Sequence, residues 1–256
     1  KGRKSTFELA NDFFRAREVM NMKAIVVGGT KGFGIEVVKE LIARGYEVVR
    51  TGRSDGDFNV DVGDEEKWMA ALGEIKRAHE KFNLAIFISG FARASDPNKR
   101  TEKDWEEHRK KNVDYVESAL NELRFTPKAT IITIGSQWSY KKGAKEIEPY
   151  IQSKHQLREL TARFAMDHPD YSVAHVAVPP MKTPQRELVW EAFGEKPEQQ
   201  GQTVVEVADP AVIAKSLVEE LVENERHGDL IQIGSQGERR IIAEKEHPKE
   251  NLWPRR

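Results

Sequence analysis

Short apolar runs alternate along the chain with longer segments in which apolar residues recur every three to four positions. Seven runs have the length of strands, namely residues 24–27, 47–51, 58–62, 84–88, 129–134, 172–178 and 229–233. The segments between them show helical spacing, as in Ile35, Val38, Leu41 and Ile42. Buried strands that alternate with amphipathic helices are typical of a parallel sheet covered by helices on both faces. The pattern therefore predicts an α/β fold.

The helical segments and the two ends complete the predicted organisation. Helices are expected over residues 35–45, 65–81, 102–123, 147–168 and 209–225. Residues 1–21 carry apolar positions at helical spacing, which predicts an N-terminal helix, and a frayed extension is the alternative. Residues 236–256 have the composition of a charged tail. No internal repeat shows, so residues 22–235 are expected to form a single domain.

One long insert stands out near the end of the predicted sheet. Residues 181–207 are rich in Glu, Gln and Lys, yet they include Trp190 and Phe193. An apolar patch in such an insert is typical of a substrate lid, and a surface helical hairpin is the alternative. Gln137, Trp138 and Tyr140 are further candidates to line a partly apolar pocket.

Composition and charge exclude several classes of function. The chain has 256 residues, a net charge of -1 and no cysteine. Disulfides, thiolate catalysis and Cys-ligated zinc are therefore excluded, and the seven histidines lack metal-ligand spacing. The charge balance gives no reason to bind nucleic acid, and no apolar run is long enough to span a membrane. We expect a cytoplasmic protein.

Three glycines lie between the first strand and the first helix. Gly28, Gly32 and Gly34 follow the apolar run directly, with Thr30, Lys31 and Phe33 among them. A strand that turns through glycines into a helix presents free backbone N–H groups and the positive end of the helix dipole, which bind pyrophosphate. A structural turn without a ligand is the alternative.

The end of the second strand bears on the choice of nucleotide. A carboxylate here would bond a ribose 2′-hydroxyl and repel a 2′-phosphate, but the sequence has Gly52, Arg53 and Ser54. Arg53 and the nearby Lys31 predict NADP(H) rather than NAD(H), and two merely solvated cations are the alternative. Asp61 and Val62, Ser89 and Gly90 end the next strands and are candidate cofactor contacts.

The candidate chemistry lies between residues 136 and 154. Ser136 leaves the fifth strand, and Tyr150 and Lys154 share one face of the following helix. A phenol has an ordinary pKa of about 10, and a neighbouring cation lowers it. The pair therefore predicts acid–base chemistry, whereas a Tyr and a Lys on a solvated helix face are the alternative.

Taken together, the glycine turn, Asn112, Ser136, Tyr150 and Lys154 resemble the motifs of the short-chain dehydrogenase/reductase family over residues 22–235. The resemblance implies a single-domain, doubly wound Rossmann-type fold with a seven-stranded parallel sheet. It also implies homodimers or homotetramers built on the helices that hold Asn112 and Tyr150.

The resemblance also implies roles for the site residues. Tyr150 would be the acid–base residue, Lys154 would lower its pKa and bond the nicotinamide ribose, Ser136 would orient the carbonyl, and Asn112 would hold a water. The implied cofactor-binding residues are Gly28, Thr30, Lys31, Gly32, Phe33, Gly34, Arg53, Ser54, Asp61, Val62, Ser89, Gly90, Tyr150, Lys154, Pro179 and Thr183.

Two departures from the family pattern affect the prediction. Phe87-Ile88-Ser89-Gly90 stands where the family has Asn-Asn-Ala-Gly, and Pro179-Pro180 stands where it has Pro-Gly. We expect an NADPH-dependent oxidoreductase that reduces a ketone or aldehyde, or oxidises the alcohol. A non-catalytic NADP(H)-binding sensor or scaffold is the alternative that these departures suggest, and isomerase or dehydratase work on a nucleotide sugar is a third.

Overall fold

A computed structural model provides the structure of the chain, and it describes residues 22–140, 145–184, 186, 207–222 and 229–241. The predicted N-terminal helix, most of the predicted lid with Trp190 and Phe193, and the tail after residue 241 lie outside this part. The structural statements below refer to the described residues.

An eight-stranded sheet forms the centre of the fold. Its strands are β1 (Lys23–Val27), β2 (Glu47–Gly52), β3 (Phe58–Asn59), β4 (Phe82–Phe87), β5 (Phe125–Ser136), β6 (Ser172–Val178), β7 (Asp229–Ile233) and β8 (Arg239–Ile241). Their order is β3-β2-β1-β4-β5-β6-β7-β8. The first seven are parallel, which confirms the predicted fold class, and β8 pairs antiparallel with β7.

Helices cover both faces of this sheet. They are α1 (Gly32–Ala43), α2 (Glu65–Ala78), α3 (Glu102–Arg109), α4 (Tyr115–Glu122), α5 (Glu148–Asp167) and α6 (Pro210–Val222). A π-helical turn, Lys110–Asp114, joins α3 to α4, so the helix predicted over 102–123 is interrupted. Short 3₁₀ turns follow β5 at Gln137–Tyr140 and precede α5 at Lys145–Ile147.

Alternation along the strands sends side chains into two separate apolar cores. In β1, Ile25 packs with Trp68 and Leu157 from α2 and α5, whereas Val26 packs with Leu41 and Leu217 from α1 and α6. All six are at most 1% exposed. Burial of such side chains contributes about 1.5 to 3 kcal/mol each relative to exposure, so the two cores hold the helices against the sheet.

Three elements differ from the prediction. Strand β5 begins at Phe125 instead of residue 129, because Lys128 adopts a left-handed conformation (φ 63°) after Pro127 and lets the chain rejoin β4 with a shifted register. Strand β3 ends at Asn59 instead of residue 62. The predicted charged tail contains the short strand β8. This strand is recognised only through its antiparallel pairing with β7.

The strand order reverses between β1 and β4, so the chain diverges there in opposite directions along the sheet. Ligands of open α/β sheets bind at such a switch point, beyond the carboxyl ends of the strands. The glycine turn, Ser89 and Ser136 follow the carboxyl ends of β1, β4 and β5, and they therefore meet at this edge. Among the described residues, none of the helices is both long and apolar enough to cross a membrane, and no cluster of acidic and histidine side chains could hold a metal ion.

Candidate active site

The glycine turn that follows β1 is formed by close packing of backbone atoms. Gly28 has a φ of 89°, and its N–H and that of Gly29 both donate to the Thr51 carbonyl at 3.0 Å. A Cβ on Gly28 would lie 2.6 Å from the Ser89 nitrogen, and one on Gly34 would overlap with the Gly28 carbonyl. Side chains are thus excluded at Gly28 and Gly34, which leaves a cradle of bare backbone at these positions, suited to a diphosphate.

Helix α1 begins inside this turn and keeps its positive end free. Gly32 (φ 56°) opens the helix, Lys31 at the N-cap forms no side-chain cap, and the first turn has no acidic residue. Phe33 is buried beneath the turn. A Cβ on Gly32 would lie 3.6 Å from the Thr183 methyl, so Thr183 lies beside the glycine turn.

Two cations lie near the end of β2. Lys31 and Arg53 are both exposed. Within the described part of the chain, Arg53 forms no ion pair, whereas Arg50 is held by Asp57 through contacts of 2.8 and 3.4 Å. The Thr30 side chain packs against Gly52, directly before Arg53 and the half-buried Ser54.

The end of β3 contributes a fixed acidic side chain. Asp61 Oδ1 accepts a hydrogen bond from the Gly63 N–H at 2.9 Å, and Val62 packs against the apolar core. A Cβ on Gly63 would lie 2.6 Å from the Lys111 side chain, so Lys111 covers this loop. The loop follows the carboxyl end of β3, the strand that pairs with β2.

Ser136, Tyr150 and Lys154 come together at the carboxyl end of β5. The Tyr150 hydroxyl and the Ser136 side chain are hydrogen-bonded. Lys154 Nζ donates to the Ile134 carbonyl at 2.9 Å and lies 5.8 Å from the centre of the Tyr150 ring. The structure therefore brings three of the four predicted catalytic side chains into one cluster.

The protonation of this cluster is governed by burial. Burial lowers the pKa of Lys154 from 10.5 to about 8. It raises the pKa of Tyr150, against the opposing effect of the hydrogen bond to Ser136. That Lys154 lowers the Tyr150 pKa stays a prediction: in the chain alone, desolvation raises this pKa, and Nζ donates to the Ile134 carbonyl.

Asn112 lies in the π-helical turn and is fully buried. Its Oδ1 accepts from the Phe91 N–H at 2.7 Å, while Nδ2 donates to the Phe91 carbonyl at 2.8 Å and to Ser153 Oγ at 2.9 Å. Both amide hydrogens are committed, so the side chain braces the loop after β4 against α5. Its role in holding a water stays a prediction.

Ser153 is a site residue that the sequence prediction missed. Its hydroxyl donates to the Tyr150 carbonyl at 2.7 Å and accepts from Asn112, so it links Asn112 to the helix that carries Tyr150. A serine next to Lys154 gives no signal of its own, because its partner Asn112 lies 41 residues away in the sequence. Tyr115 was missed as well, and its hydroxyl donates to the Ser89 carbonyl at 2.7 Å.

The loop after β4 connects the cradle to the catalytic cluster. The Ile88 and Ser89 N–H groups both donate to the Val27 carbonyl, at 2.9 and 2.8 Å. A Cβ on Gly90 would lie 3.3 Å from Asn112 Oδ1 and 3.5 Å from Lys154 Nζ. The Ser89-Gly90 peptide is therefore confined between the two halves of the site.

The segment after β6 is anchored by backbone pairing. The Pro180 carbonyl accepts from the Ala208 N–H at 2.9 Å, and Met181 forms a parallel bridge with Ala208. Pro179 is buried at the carboxyl end of β6. Pro180 therefore contributes its carbonyl to the backbone pairing with Ala208. As a proline, it has no N–H to offer a ligand.

Gln137, one of the predicted pocket residues, forms a hydrogen bond within the fold. Gln137 Nε2 donates to the Ile233 carbonyl at 2.7 Å and ties the turn after β5 to β7. The Tyr140 ring contacts His155 on α5 edge-on, with centroids 6.5 Å apart. Trp138 is half-buried, and its N–H donates to Ser136 Oγ at 3.2 Å.

Comparisons with known proteins agree with this geometry. A curated relative from Haemophilus influenzae, described as a probable NADP-dependent dehydrogenase, is 28% identical over 97 residues, which cover 32% of this chain and only 38% of the relative. A short-chain dehydrogenase/reductase structure from Serratia marcescens matches with a TM-score of 0.68 at 20% identity, over 78% of this chain and 90% of the other. A short chain dehydrogenase from Burkholderia cenocepacia in complex with NADP matches with a TM-score of 0.66 at 18% identity, over 77% and 89% of the two chains.

The structural matches show the fold, and a family model shows the family. The model for short chain dehydrogenases matches residues 22–194, which include the glycine turn and the cluster of Ser136, Tyr150 and Lys154. This chain belongs to the short-chain dehydrogenase family of oxidoreductases.

Proposed function

We propose that the protein is an NADPH-dependent oxidoreductase that reduces a ketone or aldehyde to the alcohol, or catalyses the reverse oxidation. The observation that carries this proposal is the cluster of Ser136, Tyr150 and Lys154, assembled one loop away from a backbone cradle. A buried phenol, a serine hydroxyl and an ammonium group form a proton-transfer site, and the cradle fits a dinucleotide.

In reduction, the nicotinamide would supply the hydride to the carbonyl carbon. Tyr150 would donate its phenolic proton to the carbonyl oxygen, because burial keeps this phenol protonated at neutral pH. Ser136, which is hydrogen-bonded to Tyr150, would orient the same oxygen. Lys154 would contribute a buried positive charge as long as it stays protonated, below about pH 8.

The preference for NADP(H) over NAD(H) rests on Lys31 and Arg53. Both cations are exposed at the end of the cradle where a ribose 2′-phosphate would lie, and the described part of the chain offers Arg53 no competing partner. Ser54 adds a hydroxyl next to them. The printed names of the Haemophilus relative and of the Burkholderia complex, both of which mention NADP, support this preference.

The remaining predicted contacts are distributed around the cradle. Gly28, Gly32 and Gly34 would hold the diphosphate, with Thr30 and Phe33 shaping their turn. The adenine end would meet Asp61 and Val62, the middle would meet Ser89 and Gly90, and the nicotinamide end would meet Pro179 and Thr183.

The partners in this proposal are a small carbonyl or alcohol substrate and a second copy of the chain. A homodimer or homotetramer would use the exposed faces of the helices that hold Asn112 and Tyr150. Light scattering after size-exclusion chromatography measures the mass directly, and a monomer of 29.2 kDa would contradict this part of the proposal.

The decisive experiment has two steps. NADPH and NADH are first titrated against the purified protein by nicotinamide fluorescence, and the absence of NADPH binding would refute the proposal. Ketones and aldehydes of increasing size are then screened for NADPH oxidation with the wild type and with Tyr150→Phe. We expect Tyr150→Phe to bind NADPH normally and to lose at least about 100-fold in rate, since general acid catalysis contributes about that much.

The matched control is Tyr171→Phe, because Tyr171 precedes β6 at the opposite edge of the sheet. This control should turn over at the wild-type rate. If the protein binds NADPH but no carbonyl is reduced, and Tyr150→Phe changes nothing, then the protein is a nucleotide-binding sensor that has kept the fold.

A further inference from the structure

The Ser89-Gly90 peptide lies at the narrowest part of the candidate site. On one side, the Ser89 nitrogen lies 2.6 Å from the position of a Cβ on Gly28, in the cradle. On the other side, a Cβ on Gly90 would lie 3.5 Å from Lys154 Nζ. A small displacement or rotation of this peptide would change the distance between the cradle and the catalytic cluster.

The backbone groups on the two sides of the Ser89 Cα are held by different elements of the fold. The N–H of Ser89 donates to the Val27 carbonyl of β1 at 2.8 Å. The carbonyl of Ser89 accepts from the Tyr115 hydroxyl of α4 at 2.7 Å. The first bond only continues the pairing of β4 with β1, whereas the second is the contact that fixes the direction of the carbonyl.

Tyr115 itself is rigidly held. It is 1% exposed, and its ring packs edge-on against Trp68 at 6.1 Å and against Phe87 at 6.4 Å. Its own carbonyl accepts from Trp68 Nε1 at 2.9 Å. Burial raises the pKa of Tyr115, so the hydroxyl remains a donor at every pH at which the protein is folded.

We infer that Tyr115 is a positioning residue, which sets the Ser89-Gly90 peptide for nucleotide binding through its hydroxyl. The inference rests on the proposed function, since it concerns the same cofactor site. Phe87 and Ile88, which precede Ser89, have no hydrogen-bonding side chain that could do this. Phe87 instead packs on the Tyr115 ring, so the apolar loop and the tyrosine form one unit.

The test is Tyr115→Phe, which keeps the ring and removes only the donor. We expect the dissociation constants of NADPH and NADH to rise together by about 3- to 10-fold, the effect of one lost hydrogen bond. Their ratio should stay unchanged, because the loop lies away from Lys31 and Arg53, which would read the 2′-phosphate. A general loss of stability would also raise both apparent dissociation constants by a shared factor, so the urea midpoint of each variant is measured alongside and the titrations are run where both proteins are fully folded.

Hydrogen exchange of the free protein provides a second readout. Peptides that cover residues 88–91 should exchange faster in Tyr115→Phe, while those of β6 should not change. The matched control is Tyr171→Phe, a substitution of the same kind at the far edge of the sheet, where the ring stacks on Phe164.

Wild-type nucleotide affinity and wild-type exchange at residues 88–91 in Tyr115→Phe would overturn the inference and leave Tyr115 a core residue. A wild type that binds neither nucleotide would overturn the proposed function together with the cofactor part of the inference. The exchange data would then still decide whether Tyr115 holds this loop.

Discussion

Replacing Lys154 with methionine is expected to make the nucleotide-free protein more stable while it abolishes activity. The Lys154 side chain is buried on α5, and its residue is only 4% exposed. Among the described residues, no carboxylate forms an ion pair with it. Its one hydrogen bond in this part of the chain goes to the neutral Ile134 carbonyl. A charge held in this way destabilises the fold that contains it.

The magnitude follows from the pKa. Burial lowers the Lys154 pKa from 10.5 to about 8. Since each pH unit of lowering corresponds to about 1.4 kcal/mol, the buried ammonium costs the folded state about 3 kcal/mol at pH 7. Methionine fills a similar volume without charge, but it leaves the Ile134 carbonyl without this donor, which costs about 1 kcal/mol. The expected net gain in the free energy of unfolding is about 2 kcal/mol.

The same pKa determines how the stability difference between Lys154→Met and the wild type changes with pH. Below about pH 8, the folded and unfolded chains both carry the proton, and the full cost applies. Between about 8 and 10.5, the unfolded chain binds a proton that the folded chain has released, so the stability of the wild type rises with pH relative to the variant. The advantage of Lys154→Met should therefore shrink as the pH approaches 10.

Urea unfolding followed by tryptophan fluorescence, at pH 7 and at pH 10, measures this difference. Lys99→Met is the matched control, because the Lys99 side chain is 85% exposed and its replacement should change stability by less than about 0.5 kcal/mol. A Lys154→Met protein that is less stable than the wild type at pH 7, or whose advantage is the same at both pH values, would refute the reasoning.

Two further substitutions test the cradle. Arg53→Ala should weaken NADPH binding by about 1 to 3 kcal/mol and leave NADH binding nearly unchanged, because only the 2′-phosphate contact is lost; equal losses for both nucleotides in fluorescence titrations would contradict this role. Gly34→Ala should abolish nucleotide binding and destabilise the fold by about 1 to 3 kcal/mol, because its methyl group would overlap with the Gly28 carbonyl. The control Gly73→Ala, whose Cβ would meet nothing closer than 3.7 Å on α2, should fold and bind as the wild type does.

The parallel sheet and the catalytic cluster could be predicted because their signals are local. Strands β6 and β7 begin and end at the predicted residues, since each is a short run made up mostly of apolar and β-branched residues. Ser136, Tyr150 and Lys154 could be placed together because a strand end and a helix face determine where they lie. Sequence spacing was sufficient for the sheet, whereas for the cluster the resemblance to the family supplied what the spacing of Tyr150 and Lys154 left open.

What could not be predicted depends on contacts between distant parts of the chain. The π-helical turn at Asn112 has no sequence signature. Asn112 forms hydrogen bonds to Phe91 and Ser153 that exist only in the folded protein. The raised pKa of Tyr150 results from desolvation, which the spacing of Tyr150 and Lys154 does not reveal. Tyr115 lies three residues after Asn112 on a helix, but its partner Ser89 comes from another strand.

Strand β8 gives part of the charged C-terminal stretch a role in limiting self-association of the protein, because it covers the edge of β7. It pairs with the outer edge of β7, and Ser216 on α6 donates to the Gly237 carbonyl at 2.6 Å and secures the hairpin between them. Without β8, β7 would present its unpaired N–H and C=O groups to other molecules, which is a common route to aggregation through added strands. A protein shortened after residue 235 is therefore expected to self-associate at concentrations at which the longer chain stays dispersed.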